Sequence, residues 1–323
     1  MIISKIPLRI TLGGGGTDLK SYYSRYGGLV LSAAINKYVY VSMNRLLLEK
    51  HIKVIDKSIE YVNRREEISN PLLRMALERY NVNEAMEIIS SSDIPDGTGL
   101  GSSSSYLVGV LSCLRRKIKG NLCNIAEEAC EIEMKLSKNS VGKQDQYIAT
   151  YGGIKILDIE KSGKVKVINS PISDEIIQEL EKNTLLFYTG ITRSATKILD
   201  YQKEKIDKEN LETLECMHEI KEMAYQTIEY LNRGELEKYG SLLDKYWECK
   251  KKMNFKTSNA FIDQLYYEAK KQGALGGKVI GAGGGGFLMI YCDKNHEKIK
   301  YIMEKKGVIP MEFQFERNGV KIL

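Results

Sequence analysis

The stretch Pro95-Asp96-Gly97-Thr98-Gly99-Leu100-Gly101-Ser102-Ser103-Ser104-Ser105 constrains this chain more than any other. Its glycines alternate with single residues and hydroxyls follow at once. Tyr106, Leu107, Val110, Leu111 and Leu114 then fall at the spacing of a helix's apolar stripe. A glycine-rich loop therefore runs without a gap into a helix N-terminus, which disfavours a flexible linker. Glycines let backbone N–H groups turn toward an anion, and the helix start adds unsatisfied N–H groups and a partial positive charge. The guest that suits such a place is a phosphate. The serines of the first turn can cap the helix, touch phosphate oxygens or share a Mg²⁺ with them. Neither G-x-x-x-x-G-K-[ST] nor G-x-G-x-x-G fits, because no lysine follows the last glycine and the spacing differs. A nucleotide held by Gly97, Thr98, Gly99, Leu100, Gly101, Ser102, Ser103 and Ser104 is expected, by neither of those two routes.

At 323 residues the chain is long for one core and suits two lobes with a cleft between them. Its formal charge of +6 comes from lysines and arginines interleaved with acids, which gives nucleic acid little to hold. No apolar run approaches the ~20 residues of a bilayer span, and M-I-I-S-K-I-P-L-R-I lacks the layout of a signal peptide. A cytoplasmic protein without nucleic-acid or membrane partners is expected. The 6 cysteines include no C-x-x-C and read as reduced thiols, while the 3 histidines are scattered. Any base is therefore expected to be a carboxylate.

Taken in order, strand-like residues 2–12 break into Gly13-Gly14-Gly15-Gly16-Thr17-Asp18, whose glycines leave room for something large. Thr17 or Asp18 can cap the helix suggested by Leu19, Tyr22, Tyr23 and Tyr26, and Gly27-Gly28 stops it. Strands are expected at 29–35, 37–46, 52–62 and 86–92, with a short helix from Pro71. Beyond the loop helix, Ile125, Ala129, Ile132 and Leu136 mark a second helix over 124–138. Glu133 falls on the border of that stripe, which leaves two readings: a partly desolvated carboxylate facing a cleft, or a solvated surface acid. Asp145, within Gly142-Lys143-Gln144-Asp145-Gln146-Tyr147, is the sole acid between Glu133 and Asp158, an interval that holds Lys135, Lys138, Lys143 and Lys155. It reads either as an ionised carboxylate among cations or as a helix cap.

The remainder is expected to be helical to about residue 271, apart from a strand at 184–189. At that strand's end, Thr189-Gly190-Ile191-Thr192-Arg193-Ser194-Ala195 places Arg193 either in a helix first turn suited to a second phosphate or on the surface beside Asp200 or Glu204. In Lys278-Val279-Ile280-Gly281-Ala282-Gly283-Gly284-Gly285-Gly286-Phe287 glycines separate two strands, as in a plain hairpin or in a backbone pressed against another loop or a ligand. A helix near 295–305 and a strand near 308–315 close an α+β unit.

Three glycine-rich motifs in this order, with Glu133 and Asp145 between the second and third, resemble the superfamily of galactokinase, homoserine kinase, mevalonate kinase and phosphomevalonate kinase, the GHMP kinases. P-x-x-x-G-L-G-S-S matches Pro95 to Ser103, K-x-x-G-A-G-x-G-G matches Lys278 to Gly286, and the likeness spans essentially the whole chain. Galactokinases read R-V-N-L-I-G-E-H-T-D-Y near the N-terminus, and Arg9 and Asp18 keep that spacing here. Gly15-Gly16 replaces the sugar-reading E-H, which counts against galactose and clears two bulky side chains from the pocket. Together with P-L-R-I-T-L-G-G-G-G-T-D-L, G-K-Q-D-Q-Y and T-G-I-T-R-S-A, this is most similar to the branch that phosphorylates the anomeric C1 hydroxyl of a heptose 7-phosphate, toward a nucleotide-activated heptose for a surface glycan.

The resemblance implies a two-lobed α+β fold. An N-terminal ATP-binding lobe over 1–170 would be like the second domain of ribosomal protein S5, and a ferredoxin-like C-terminal lobe with extra helices would cover 171–323. It implies ATP and Mg²⁺, the metal held by Ser103 and Glu133. Asp145, with Arg9 beside it, would accept the hydroxyl proton or orient the hydroxyl. Gly15, Gly16, Thr17, Asp18, Arg193, Gly283 and Gly284 are the expected substrate residues, and the state a monomer or homodimer. A kinase for another sugar, such as fucose or a hexose phosphate, is the alternative among enzymes. A sugar-sensing regulator that has lost turnover is the alternative outside them, and the presence of Arg9, Ser103, Glu133 and Asp145 together speaks against it. A dinucleotide-dependent dehydrogenase is disfavoured because no G-x-G-x-x-G opens a βαβ unit.

Overall fold

The computed structural model describes residues 1–116, 122–138, 140–192 and 195–323, with the backbone alone at 122, 123, 195–197 and 255. In chain order the structure begins with β1 (Ile2–Gly13), α1 (Lys20–Tyr26), β2 (Gly28–Arg45), β3 (Ile52–Ile55), β4 (Ile59–Val62), α2 (Pro71–Arg79), β5 (Met86–Ser92), α3 (Ser102–Arg115), α4 (Leu122–Leu136), α5 (Gln144–Tyr151), β6 (Ile154–Ile159) and β7 (Val165–Asn169). It continues with α6 (Asp174–Asn183), β8 (Thr184–Tyr188), α7 (Ala195–Asp207), α8 (Leu211–Arg233), α9 (Leu236–Met253), α10 (Ala260–Lys271), β9 (Gly276–Val279), β10 (Phe287–Tyr291), α11 (His296–Lys305), β11 (Ile309–Met311) and β12 (Lys321–Ile322).

The first sheet runs β12-β1-β2-β5-β3-β4, with β6 and β7 branching from β2. β2 is one strand of 18 residues, not the two expected on either side of residue 36. Nothing at Asn36-Lys37 stops an extended backbone. Instead the register with β1 jumps between Pro7↔Tyr38 and Leu8↔Ile35, so that pair is a bulge inside a continuous strand. The first half of β2 pairs with β6 and its second half with β5. Residues 52–62 form the hairpin β3–β4 in place of one strand, closing where Asp56 N donates to Ser58 O at 3.1 Å.

The expected stripe of α3 is real: Leu107, Val110 and Leu111 are wholly buried against Ile6, Leu8 and Val41 of the sheet. Gly109 brings the helix close, since a Cβ there would lie 2.5 Å from Ile6 Cδ1. In the second sheet, β11-β8-β10-β9, side chains alternate by face. Leu185, Phe187, Leu288 and Ile290 meet Ile262 and Leu265 of α10 and Ile299 of α11, while Leu186 and Met289 look toward Leu243 of α9. The tail then returns to the first lobe. Phe315 bridges Ile35, and β12 pairs with β1, so the free edge of β1 is covered by residues that the sequence assigned to the C-terminal lobe.

The described cysteines, Cys113, Cys130, Cys216, Cys249 and Cys292, are buried free thiols, as expected from their spacing. Among the described residues no helix is long and apolar enough to cross a membrane.

Candidate active site

The two lobes meet where the second and third glycine motifs touch. Gly286, at φ +80°, sits so close to the central loop that a Cβ would lie 2.0 Å from Thr98 O, and a Cβ on Gly99 would lie 2.6 Å from Ile280 O. The third motif is thus both a hairpin between β9 and β10 and a backbone pressed against another loop. Beside this seam opens a cleft of about 260 Å³, with Arg9, Asp145, Glu133 and Ser103 on its N-terminal side and Lys250, Lys278 and Gly281 on its C-terminal side.

Gly97, Gly99 and Gly101 all take positive φ, and Gly101 is the residue at which α3 begins. No serine caps that helix. The alternation divides the loop by direction: Gly97, Gly99, Gly101, Ser102, Ser103 and Ser104 line the cleft, while Thr98 and Leu100 are buried. The Thr98 hydroxyl donates to Pro95 O at 3.0 Å, and Leu100 O accepts from Arg9 N at 3.0 Å.

The two readings of Glu133 resolve in favour of the cleft. It is 7% exposed, and its carboxylate accepts from Ser103 Oγ at 3.1 Å, from Ser104 Oγ at 2.6 Å and from Gln146 Nε2. Burial dominates its titration and lifts its pKa to about 7, with the Asp145 charge adding to the rise and the three donors opposing it. All three donors are neutral.

Asp145 stands in the first turn of α5, where it caps nothing. Arg9 grips it with both arms, Nε to Oδ1 at 2.7 Å and Nη2 to Oδ2 at 2.9 Å, and donates its remaining nitrogen to Gly99 O at 2.5 Å. One guanidinium therefore fixes the carboxylate and the glycine-rich loop relative to each other. The cation beside Asp145 is this arginine and not a neighbouring lysine, because Lys143 reaches Glu127 at 2.8 Å and Lys155 reaches Asn169 at 2.6 Å.

The first glycine motif contributes Gly15 and Gly16 to the cleft wall. Asp18 also lines it, but does not cap α1, whose N-cap is Leu19 without a side-chain bond. Its carboxylate is turned to Gly16 N and Gln144 N, both at 3.0 Å, and its pKa is raised by burial and by the Asp145 charge. Thr17 faces away from the cleft: its hydroxyl donates to Gly14 O at 2.8 Å and accepts from Leu29 N at 3.0 Å, bracing the turn. Gly283 and Gly284 pack on Thr257, Gly284 N donating to Thr257 O at 2.6 Å, while Gly281 and Ala282 occupy the wall in their place. Arg193 lies outside the described residues.

The cleft also holds residues to which the sequence gave no role. Gln144 accepts from Thr11 Oγ1 at 2.6 Å, and Tyr246 Oη donates to Gly15 O at 2.9 Å. Lys250 donates to Gly281 O at 2.6 Å, and Lys278 Nζ lies 4.2 Å from the Tyr246 ring centroid. Lys278 was visible as the first letter of the third motif, and Gln144 and Gln146 as the flanks of Asp145. Polar residues in a motif announce a site without saying which partner each one takes.

Two family models match the chain: the GHMP kinases N terminal domain over residues 67–153 and the GHMP kinases C terminal domain over 227–309. The D-glycero-alpha-D-manno-heptose 7-phosphate kinase of Campylobacter jejuni is 33% identical, aligned over 99% of this chain and 98% of its own. The bifunctional fucokinase/GDP-fucose pyrophosphorylase of Arabidopsis thaliana is 25% identical over 93% of this chain but only 30% of its own. Among solved structures, a D-glycero-D-manno-heptose 1-phosphate kinase from Bacteroides thetaiotaomicron superposes with a TM-score of 0.81 at 27% identity, covering 100% of this chain and 99% of that one.

Proposed function

The chain belongs to the GHMP kinase family and is a sugar kinase, and on that premise we propose that it transfers the γ-phosphoryl group of ATP to the anomeric C1 hydroxyl of D-glycero-α-D-manno-heptose 7-phosphate. The observation that carries the chemistry is the Arg9–Asp145 clamp, set against the phosphate loop and within electrostatic reach of the buried Glu133. The full-length likeness to the Campylobacter enzyme supports the choice of sugar, and Gly15 and Gly16 line the cleft without side chains of their own.

In this reading the C1 hydroxyl rests on Asp145. Its O–H bond breaks toward the carboxylate as the new O–P bond forms and the bond from Pγ to the β-phosphate bridging oxygen breaks, releasing ADP. Arg9 keeps Asp145 aimed and needs no rearrangement during transfer. A second cleft of about 980 Å³, lined by Asp56, Asn70, Ser91 and Tyr106, meets the first at Gly97, Ser102 and Ser103 and offers room for the nucleoside.

The residues also fit Mg²⁺. Glu133 is a buried carboxylate whose hydrogen-bond donors are all neutral, a costly state that a cation relieves, and Ser103 Oγ lies 3.1 Å from it. Among the described residues no group of three or more His, Cys, Asp or Glu is placed to hold a metal, so an ion here would take its other ligands from phosphates and water, as Mg²⁺ does. When bound, Mg²⁺ would neutralise charge on the transferred group.

A coupled ADP-release assay tests the substrate against heptose 7-phosphate, heptose 1-phosphate, fucose, galactose and hexose phosphates. The highest kcat/KM is expected for the 7-phosphate. A preference for fucose or a hexose phosphate would replace the sugar and leave the kinase standing, whereas no ADP release with any acceptor would favour a sensing role. Arg193 remains the candidate for the 7-phosphate by its position in the sequence, between the last residue of β8 and the first of α7. Arg193→Ala is expected to raise KM for the sugar phosphate by ~10- to 100-fold with little change in KM for ATP. Equal losses on the phosphorylated and dephosphorylated sugar would remove it from that role.

A further inference from the structure

The phosphate loop carries no lysine, unlike loops in which one reaches the β- and γ-phosphates. The arginine at its side, Arg9, is committed to Asp145 through two nitrogens and to Gly99 O through the third. A triphosphate entering this cleft therefore finds little cationic charge on the N-terminal side. The C-terminal side is different. Lys278, on β9, is 2% exposed and lines the cleft, and among the described residues no carboxylate lies within ion-pair distance of it. Its neighbours from the packed elements are Arg9 on β1 and Tyr246 and Lys250 on α9, none of them an anion at neutral pH. Lys250 holds Gly281 O, and Gly281 abuts Gly99, where a Cβ would lie 2.9 Å from Gly99 O. The two lysines thus flank the seam at which the phosphate loop meets the third motif.

We infer that Lys278, with Lys250 beside it, forms a phosphoryl-binding pair supplied by the C-terminal lobe, positioned for the donor's transferred group on the side of the cleft opposite the loop. The inference rests on the kinase reading above and assigns the cations that its loop lacks. A lysine buried among cations destabilises the empty protein, and burial together with Lys250 and Arg9 pushes its pKa well down. An arriving phosphate reverses that imbalance, because its negative charge is what the pair lacks.

Lys278→Met separates this role from a structural one. The methionine keeps most of the volume and removes the buried charge, so the empty variant is expected to melt at the same or a higher temperature while kcat falls ~10- to 100-fold. Lys250→Met is expected to lower kcat by a smaller factor. A loss of equal size with phosphorylated and dephosphorylated sugar assigns the pair to the donor's phosphoryl group. A rise in KM confined to the phosphorylated sugar assigns it to the acceptor's phosphate, the other source of the same chemistry. Unchanged kinetics in both variants, or losses that follow a falling melting temperature, would overturn the inference. Inorganic tripolyphosphate supplies a readout without turnover: it is expected to raise the melting temperature of the wild type more than that of Lys278→Met. If no acceptor is turned over yet that difference persists, the phosphoryl site stands and the kinase reading fails; equal shifts would remove the site.

Discussion

Asp145→Asn is expected to lower kcat by ~10²-fold or more while KM for ATP stays within a few-fold, the scale on which general bases act. The substitution preserves shape but exchanges one carboxylate oxygen for an NH₂ group. Arg9 Nη2, which donates to Oδ2 at 2.9 Å, then faces a donor, although its hold on Gly99 O at 2.5 Å is unaffected. Two losses combine: the proton acceptor disappears and the clamp that aims the side chain loses an arm. The variant also leaves the largely buried Arg9 half-paired, so a melting curve should accompany the kinetics. Arg9→Met/Asp145→Asn removes the orphaned charge and should melt above the single variant without regaining turnover. A loss below ~10-fold would mean that the carboxylate orients the hydroxyl and takes no proton, since Asn can still accept a hydrogen bond. Wild-type turnover would remove Asp145 from the mechanism.

That such a residue could be named before its surroundings were known follows from the kind of signal it gives. Asp145 was conspicuous as the one acid in its interval, and Glu133 as an acid at the edge of an apolar stripe. Both are local properties of the chain. The alternating glycines and the stripe of α3 are local too, and the loop-to-helix junction follows from them. The partner of Asp145 is 136 residues away in sequence, on β1, and no local periodicity points across that distance. The same limit explains Thr98, Leu100 and Thr17. Each stands in a glycine motif, and each turns its side chain into the protein because a tight backbone needs internal hydrogen bonds and packing as well as a ligand. The bulge at Asn36-Lys37 depends on where β1 runs, and the return of β12 depends on the exposed edge of β1. The burial of Lys278 was hidden for another reason: a lysine inside a strand reads as a solvated residue until the fold shows that both faces of the strand are covered.

Glu133→Gln is expected to move activity and stability in opposite directions. In the proposed site it supplies the anionic oxygen of the metal, and metal neutralisation contributes several kcal/mol to phosphoryl transfer, so kcat at limiting Mg²⁺ should fall by ~10²-fold and recover partly as Mg²⁺ is raised. Ser103→Ala should shift the Mg²⁺ requirement in the same direction by less, because it removes a neutral ligand. The metal-free, nucleotide-free protein should respond the other way. A carboxyl whose pKa is raised from 4.5 to about 7 by folding binds its proton more tightly in the native state. As pH rises from 4.5 to 7 the unfolded chain ionises at this position before the folded one does, and wild-type stability from this group declines across that window by on the order of 3 kcal/mol. Gln carries no proton to lose, so this contribution to the slope vanishes in the variant. Its new NH₂ group also has an acceptor at hand, since Gln146 Oε1 is buried without a hydrogen-bond partner among the described residues. Melting temperatures of the metal-free proteins at pH 5 and pH 8 should therefore converge at the lower value and separate at the higher, with the variant on top. A variant less stable than wild type at pH 8 would show that the ionised carboxylate is already compensated without a cation, and Mg²⁺ titrations of both Glu133→Gln and Ser103→Ala that match wild type would place the metal elsewhere.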